Sequence, residues 1–380
     1  MCDTLCMRQG DGTWFAKNSD RPPDEPQVVE AYPARPATGR TRRMQYIDIP
    51  DAPAAAFVGS RPTWLTGLEH GVNEHGVAVG NERIWTTTRA RDLPPALLGM
   101  DIVRLVLERA RDADEALAVC TGLVEQFGQG GSGDRDHDDP YCSSFLIADS
   151  DSGWIVETDG RSWAARPTGA GAAISNRVSL GRDWTVASAD VAPGSDFDVR
   201  RNPRMPTAVA DGRLAVTRAR VAAGAGSGPA TLAETLRDHG PGHPTLPRGD
   251  GIGDFTVCLH RPDARSQTTA SMIAHLRPDR SARMWACLGN PCLGVFVPVF
   301  FGAAPGELSD ERQWLRFAAL RDAVGTDEDR AAEVRLAFSA VESELWAEAD
   351  GAEAGDSAAI DTYARTAFAR VDAALRSFGV

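Results

Sequence analysis

The stretch that decides the fold is residues 1–20, MCDTLCMRQGDGTWFAKNSD. TLCMRQ and TWFAKN read as short strands, and Gly10-Asp11-Gly12 between them supplies turn residues, so the spacing predicts a β-hairpin. A three-residue loop pairs positions whose numbers sum to 22 and sets Cys2 opposite Asp20, whereas a two-residue loop shifts that register by one. Strand alternation puts Lys17 and Asp20 on opposite faces unless the strand ends or bulges between them. The fold-back thus returns Lys17-Asn18-Ser19-Asp20 to the start of the chain, with Asp20 better placed than Lys17 to meet it.

Cys2 carries the chemistry of this stretch. Aminopeptidases remove an initiator methionine when the next residue is small, and cysteine qualifies. The expected mature chain then begins with a thiol and a free α-amine on one residue. An α-amine titrates near roughly 7.7–8.0, against about 10.4 for a lysine, so near neutral pH it can take the thiol's proton directly or through a water. A lone cysteine is ordinarily a small buried hydrophobe; the returning acidic segment is what singles this one out.

The whole chain has 380 residues, 42% of them hydrophobic, and a formal charge of -13. That length holds one large core with an appendage, or two to three domains of roughly 150 residues. An acidic balance lacks the electrostatic footprint of a nucleic-acid or membrane-surface binder, leaving small molecules or proteins as partners. The opening residues lack the basic start and apolar run of a secretory signal, and the longest apolar run, 292–304, is too short to cross a bilayer. Seven scattered cysteines suit reduced thiols in a cytoplasm better than a disulfide framework. Lys17 is the single lysine beside 39 arginines, a bias that codon usage also explains.

From residue 2 to about 90 the chain reads as strands, adding QVVEAY, MQYIDI, AAFVG and GVAVG. Two helices follow, one with the stripe Leu98, Ile102, Leu105 and Val106. The other carries Leu117, Cys120, Leu123, Val124 and Phe127 behind the capping pair Asp112 and Glu115. GQGGSGDRDHDDP, 128–140, reads as a solvent-facing loop. SSFLIAD, WIVETD, SWAARP and AAISN form a meander, and 186–250 is an Ala/Gly/Pro/Arg-rich insertion with helices near 207–223 and 229–238. Strands resume at TVCLH, TTASMIAHL, RMWACLG and GVFVPVFF. Two long amphipathic helices close the chain, one through Val334, Phe338, Val341 and Leu345, the other through Ile360, Ala364, Ala367, Val371, Ala374 and Phe378. This order excludes a doubly wound parallel sheet and predicts a layered α+β domain over 1–304 with a helical extension over 305–380, which docks on the body or on a second copy in a homodimer.

The opening CDT, FAKNSDRP, SRPTWLTGLEHGVNEHGVAVGNE, LLGMDIVRLVLERA, GQGG, the LIAD and WIVET strands, AISN and TTASM together resemble the secernin-like cysteine dipeptidases, a branch of the N-terminal nucleophile hydrolases. The resemblance spans residue 2 to about 301. It implies a four-layer αββα sandwich and amide hydrolysis with Cys2 as nucleophile and Asp20 as the carboxylate beside its amine. Lys17 stands where the related bile-salt and penicillin acylases place an arginine; the second arginine of that branch has no counterpart placed. Asn81 resembles the residue whose backbone N–H and side chain face the developing oxyanion, and Asn176 the second donor. Asn18 and Glu82 join as substrate contacts, Glu82 toward a substrate ammonium or as a plain surface carboxylate. Trp64 lines a pocket or, the favoured reading, fills core.

No cofactor is expected. No cysteine pair has zinc-knuckle spacing and no two histidines share a helix face. Asp134, Asp136 and Asp138 mimic a calcium loop, but Asp139 stands where glycine is required and Phe145 where glutamate is. The resemblance implies a cofactor-independent amidohydrolase of dipeptides or short peptides, with an N-acyl amide acylase and a non-catalytic interaction protein as the other readings.

Overall fold

The computed structural model describes residues 1–224, 228–240, 255–260 and 266–380. The predicted hairpin is there, built from β1 (Cys2–Gln9) and β2 (Gly12–Arg21). Its turn holds two residues, Gly10 and Asp11, so Gln9 pairs with Gly12 and Cys2 with Ser19. Cys2 therefore does not face Asp20; the three-residue loop is corrected by one position. Gly12 is fixed in this role by a φ of 130° and by the Leu276 carbonyl oxygen, which a Cβ would approach to 2.1 Å.

Around this hairpin two antiparallel sheets form. In the smaller, β12 (Gly171–Ile174), β1, β2, β14 (Gln267–Leu276), β15 (Ala282–Leu288) and β16 (Val297–Val299) lie side by side. The larger runs β13 (Val186–Ala187), β11 (Ser162–Pro167), β10 (Gly153–Asp159), β9 (Cys142–Ala148), β8 (Ala78–Ile84), β7 (His70–Asn73), β6 (Phe57–Pro62), β3 (Gln27–Tyr32). MQYIDI does not make one strand; β4 (Thr41–Arg43) and β5 (Asp48–Pro50) pair there as a small separate hairpin.

The sheets stack face to face, β1 over β8 and β9. Cys6, Phe15, Met272, Ala78, Leu146 and Ile155 fill the space between them. Helices α1 (Gly99–Arg109) and α2 (Ala113–Phe127) cover the outer face of the larger sheet through Ile102, Val106, Cys120 and Val124. The Asp112 side chain caps α2 by accepting from Glu115 N–H, as the spacing predicted. On the other outer face lie α3 (Ala208–Ala223) and α4 (Pro229–Leu236), packed through Leu214, Leu232 and Leu236 on Leu5, Met7 and Ala16. The layering is αββα, as expected for an N-terminal nucleophile hydrolase. Residues 225–227 and 241–250 of the expected insertion lie outside the described residues.

The C-terminal segment holds three helices where two were predicted: α5 (Glu311–Val324), α6 (Glu328–Glu353) and α7 (Ser357–Ser377). In α5 the apolar residues Trp314, Phe317, Leu320 and Val324 are interleaved with Arg and Asp, which blurs the stripe. They join the inter-sheet core at the β15–β16 and β3 side. Trp314 is 1% exposed and donates its Nε1–H to the Thr269 carbonyl at 2.9 Å. Thr269 is the extra residue of a bulge in β14 opposite Ser19 and Asp20. Among the described residues no helix is long and apolar enough to cross a membrane.

Because Trp314 both fills core and satisfies the bulge carbonyl, Trp314→Ala should lower unfolding free energy by about 3–5 kcal/mol. Chemical denaturation checks this, and a loss under 1 kcal/mol would mean the extension is merely draped on the body.

Candidate active site

The head of β1 opens into a cleft of about 530 Å³ whose walls include Cys2, Asp20, Arg21, Glu69, Asn81 and Arg83. Cys2 is 5% exposed. The shifted register gives it Ser19 as cross-strand neighbour and puts Lys17, two residues along the same face, between the sheets. The buried Lys17 ammonium donates to the carbonyls of Asn81 at 2.9 Å and Asn18 at 3.3 Å, and to Glu82 Oε1 at 3.4 Å. Burial would depress the Lys17 pKa, but Cys2, Glu82 and Glu69 around it hold it above the ordinary amine value. The same burial raises the Cys2 thiol, and Lys17 is the strongest influence pulling it back.

Asp20 meets the site from the other side. Its backbone N–H donates to the Met1 carbonyl at 2.8 Å. Its Oδ1 accepts from Thr268 Oγ1 at 2.7 Å, and its Oδ2 lies 3.7 Å from Arg213. Burial raises its carboxyl against the opposing Met1 α-ammonium and Arg213. The Met1 amine donates to the Asp20 carbonyl at 3.0 Å and to Ser266 Oγ at 3.3 Å, so Met1 itself occupies part of the cleft.

Asn81, on β8, lines the cleft. Its N–H reaches the Glu69 carbonyl only at 3.4 Å, and its Nδ2 meets nothing stronger than the Met100 thioether at 3.7 Å. Both donors are thus weakly engaged. A Cβ on Gly99, at the start of α1, would fall 2.6 Å from that Nδ2 and 2.2 Å from Ser143 Oγ, so glycine there is what lets helix and amide meet.

Asn176, following β12, is placed differently from an oxyanion donor. Its Oδ1 accepts from Cys2 N–H at 2.7 Å while its Nδ2 is spent on the Arg83 carbonyl at 2.8 Å. It holds the Cys2 nitrogen instead. Glu82 is fully buried between the sheets, accepts from Thr4 Oγ1 as well as Lys17, and does not line the cleft. Burial pushes its carboxyl up to about 7 against the pull of Lys17 and Thr4. It is therefore the counter-charge of Lys17 and not a receptor for substrate. Asn18 points to the helical layer, donating to the Leu236 and Val257 carbonyls at 2.8 Å each, also away from the cleft. Trp64, half-buried, packs against the small cluster of Leu65, Leu98 and Met100 and does not line the cleft. Of the 128–140 loop, 128–130 are buried, and Asp134, His137, Asp138 and Asp139 edge the mouth.

The residue missed from sequence is Arg213. Fully buried on α3, it donates to the Cys2 carbonyl at 3.1 Å, to Asp3 Oδ2 at 2.6 Å and to Asn176 Oδ1 at 2.8 Å. One guanidinium thus orients the backbone of Cys2, the amide beside its nitrogen and, at longer range, Asp20. The available signal was its place in the buried stripe Val209, Ala210, Leu214, Thr217, where an arginine needs an anionic partner.

No family model matches the chain. Among solved structures it is similar to a C2A variant of the conjugated bile acid hydrolase of Clostridium perfringens, with 11% identity over 76% of this chain and 89% of that one and a TM-score of 0.48. It is also similar to penicillin V acylase of Agrobacterium tumefaciens, with 12% identity over 82% and 89% and a TM-score of 0.44.

Replacing the buried ion pair by neutral groups, Lys17→Met/Glu82→Gln, should move the pH profile of Cys2 alkylation by iodoacetamide upward by roughly 1–3 units, since the cation that most favours the thiolate is removed. An unshifted profile would show that Lys17 does not act on the thiol.

Proposed function

We propose that this chain is a cysteine-dependent amidohydrolase of dipeptides or short peptides, with Cys2 as nucleophile. The observation that carries the reading is the convergence at one cleft of the Cys2 thiol, a buried ammonium beside it, and an Asn81 amide with weakly engaged donors. The sequence resemblance to the secernin-like cysteine dipeptidases supports it independently. The proposed mature form has the bond before Cys2 cleaved. The freed α-amine then keeps its contact with Asn176 Oδ1, and the Asp20 N–H loses the Met1 carbonyl it now serves. A reducing compartment, the cytoplasm, suits seven unpaired cysteines.

In this scheme the Cys2 α-amine takes the thiol proton and the thiolate attacks the substrate carbonyl carbon. Asn81 donates to the oxyanion of the tetrahedral intermediate. The ammonium returns the proton to the leaving amine as the C–N bond breaks, and water, deprotonated by the same amine, hydrolyses the thioester. Lys17 lowers the cost of the thiolate, Asp20 and Arg213 fix the terminal nitrogen and backbone, and Asn176 aims the amine. The cleft lining carries both signs, the buried Arg21–Glu69 pair at 3.2 Å and the Arg83–Asp139 pair nearer the mouth, a mixed charge that suits a zwitterionic dipeptide. A second reading, an N-acyl amide acylase, draws on the apolar wall of Trp85, Met205, Val209 and Phe255.

Assays of free and N-acylated dipeptides separate the two. Dipeptides should be turned over faster, Cys2→Ala should abolish turnover, and mass spectrometry should catch an acyl adduct on Cys2. Intact Met1 with no hydrolysis of either series would favour a binding protein on a hydrolase scaffold. Gly99→Ala, which displaces Asn81, should lower kcat by about 100- to 1000-fold while leaving Cys2 alkylation intact; unchanged kcat would remove Asn81 from the mechanism.

A further inference from the structure

Beside the end of α4 and the turn after β15 four metal-type donors converge that the cleft does not use. His239 follows α4, Cys258 and His260 lie in the segment 255–260, and Cys292 sits in a short 3-10 turn (Pro291–Leu293) after β15. All four are buried, and one donor atom from each lies within 4.8 Å of the other three. His260 Nε2 is 3.1 Å from Cys292 Sγ and 3.4 Å from Cys258 Sγ. The His239 and His260 rings are 5.3 Å apart and tilted by 59°, and His239 Nε2 has no hydrogen-bond partner among the described residues.

Hydrogen bonding alone does not satisfy this cluster. One imidazole nitrogen offers a single lone pair or a single N–H, yet His260 Nε2 faces two thiols, and His239 Nε2 is left over. A disulfide between the cysteines would take both thiols away from His260 Nε2 and still leave His239 Nε2 without a partner among the described residues. A tetrahedral ion solves all four at once. Metal–sulfur bonds near 2.3 Å and metal–nitrogen bonds of about 2.0–2.1 Å put tetrahedral ligands roughly 3.3–3.8 Å apart; the two His260–sulfur distances, 3.1 and 3.4 Å, lie close to that, and every other pair is within 4.8 Å. Two thiolates with two imidazoles are a standard donor set of structural zinc.

We propose that His239, Cys258, His260 and Cys292 bind one Zn²⁺ in a closed, structural site. None of the four lines the Cys2 cleft, and four protein ligands leave no position for a water or substrate. The ion's work is to fasten segment 255–260 to the sheet. That segment offers the Val257 carbonyl to Asn18 and exchanges two hydrogen bonds with Thr268, Leu259 N–H to Oγ1 at 2.9 Å and Thr268 N–H to the Leu259 carbonyl at 3.0 Å. Thr268 in turn donates to Asp20. Phe255, at the segment's start, is part of the cleft wall. The sequence reading passed over this site because its ligands come from three separate segments with no knuckle spacing.

The test is elemental analysis of the full chain expressed with Zn²⁺ and dialysed. About one equivalent of zinc per chain is expected, retained in Cys2→Ser and lost in Cys292→Ser and His239→Asn. Because those variants can misfold, the wild-type chain exchanged with Co²⁺ gives a second readout: a thiolate-to-cobalt band in the near ultraviolet and intense tetrahedral bands in the visible. Stripping the zinc with a chelator should lower Tm. Less than about a tenth of an equivalent of zinc, a Cys258–Cys292 disulfide, or a cobalt spectrum without thiolate bands would overturn the proposal.

Discussion

A lysine ammonium shut between two β-sheets is the constraint around which this structure is dimensioned. Lys17 has no solvent exposure, and its three protons go to two carbonyls and a carboxylate. An isolated buried charge costs several kcal/mol, so a partner of opposite sign must stand within reach. Glu82, on the facing sheet, is that partner, and the pair fixes how β2 and β8 lie against each other. Gly80 has to be glycine in consequence, because a Cβ there would come within 2.5 Å of the Lys17 Cδ. The Cys2 thiol inherits the field of the arrangement.

A second ionic knot faces the other way. Arg213 anchors α3 to Asp3, to the Cys2 carbonyl and to Asn176. Burial pushes the Asp3 carboxyl up to about 6 even with Arg213 opposing it. Lys17 and Arg213 thus grip the start of β1 from its two faces. The end of β2 is supported from further away: Thr268 holds the Asp20 carboxylate, and the Thr269 carbonyl accepts from Trp314 while its hydroxyl lies within hydrogen-bond reach of the Ser19 carbonyl at 3.2 Å and of the Gln27 amide at 2.7 Å. The C-terminal helices thereby reach the site through one bulged residue.

Much of this was legible in local sequence. The hairpin, the α1 and α2 stripes, the Asp112 cap and the helices of the insertion follow from turn chemistry and periodicity, because each is decided by residues a few positions apart. Cys2, Lys17, Asp20, Asn81 and Asn176 do gather at one end of the sheets. What failed was whatever depended on which way a side chain turns once the sheets stack. Asn18 and Glu82 read as polar and available, yet one faces a helix and the other a buried ammonium. The register slipped by a residue because Gly10-Asp11-Gly12 is compatible with either turn length. Arg213 was lost among many arginines, and the paired cysteines and histidines were invisible because only the folded chain brings 239, 258, 260 and 292 together.

The lack of a side chain at Gly80 and Gly99 has a bearing on how such a protein could be remade. Behind the thiol the walls touch atom to atom, with Lys17 and Asn81 pressed against bare backbone, so that backplate admits almost no change. The charged and aromatic residues at the mouth, from Trp85 to Arg91 and from Asp134 to Tyr141, sit on connections between strands and helices. Divergence in ligand preference, natural or engineered, therefore has to be written in those loops, with the machinery beneath carried along unaltered.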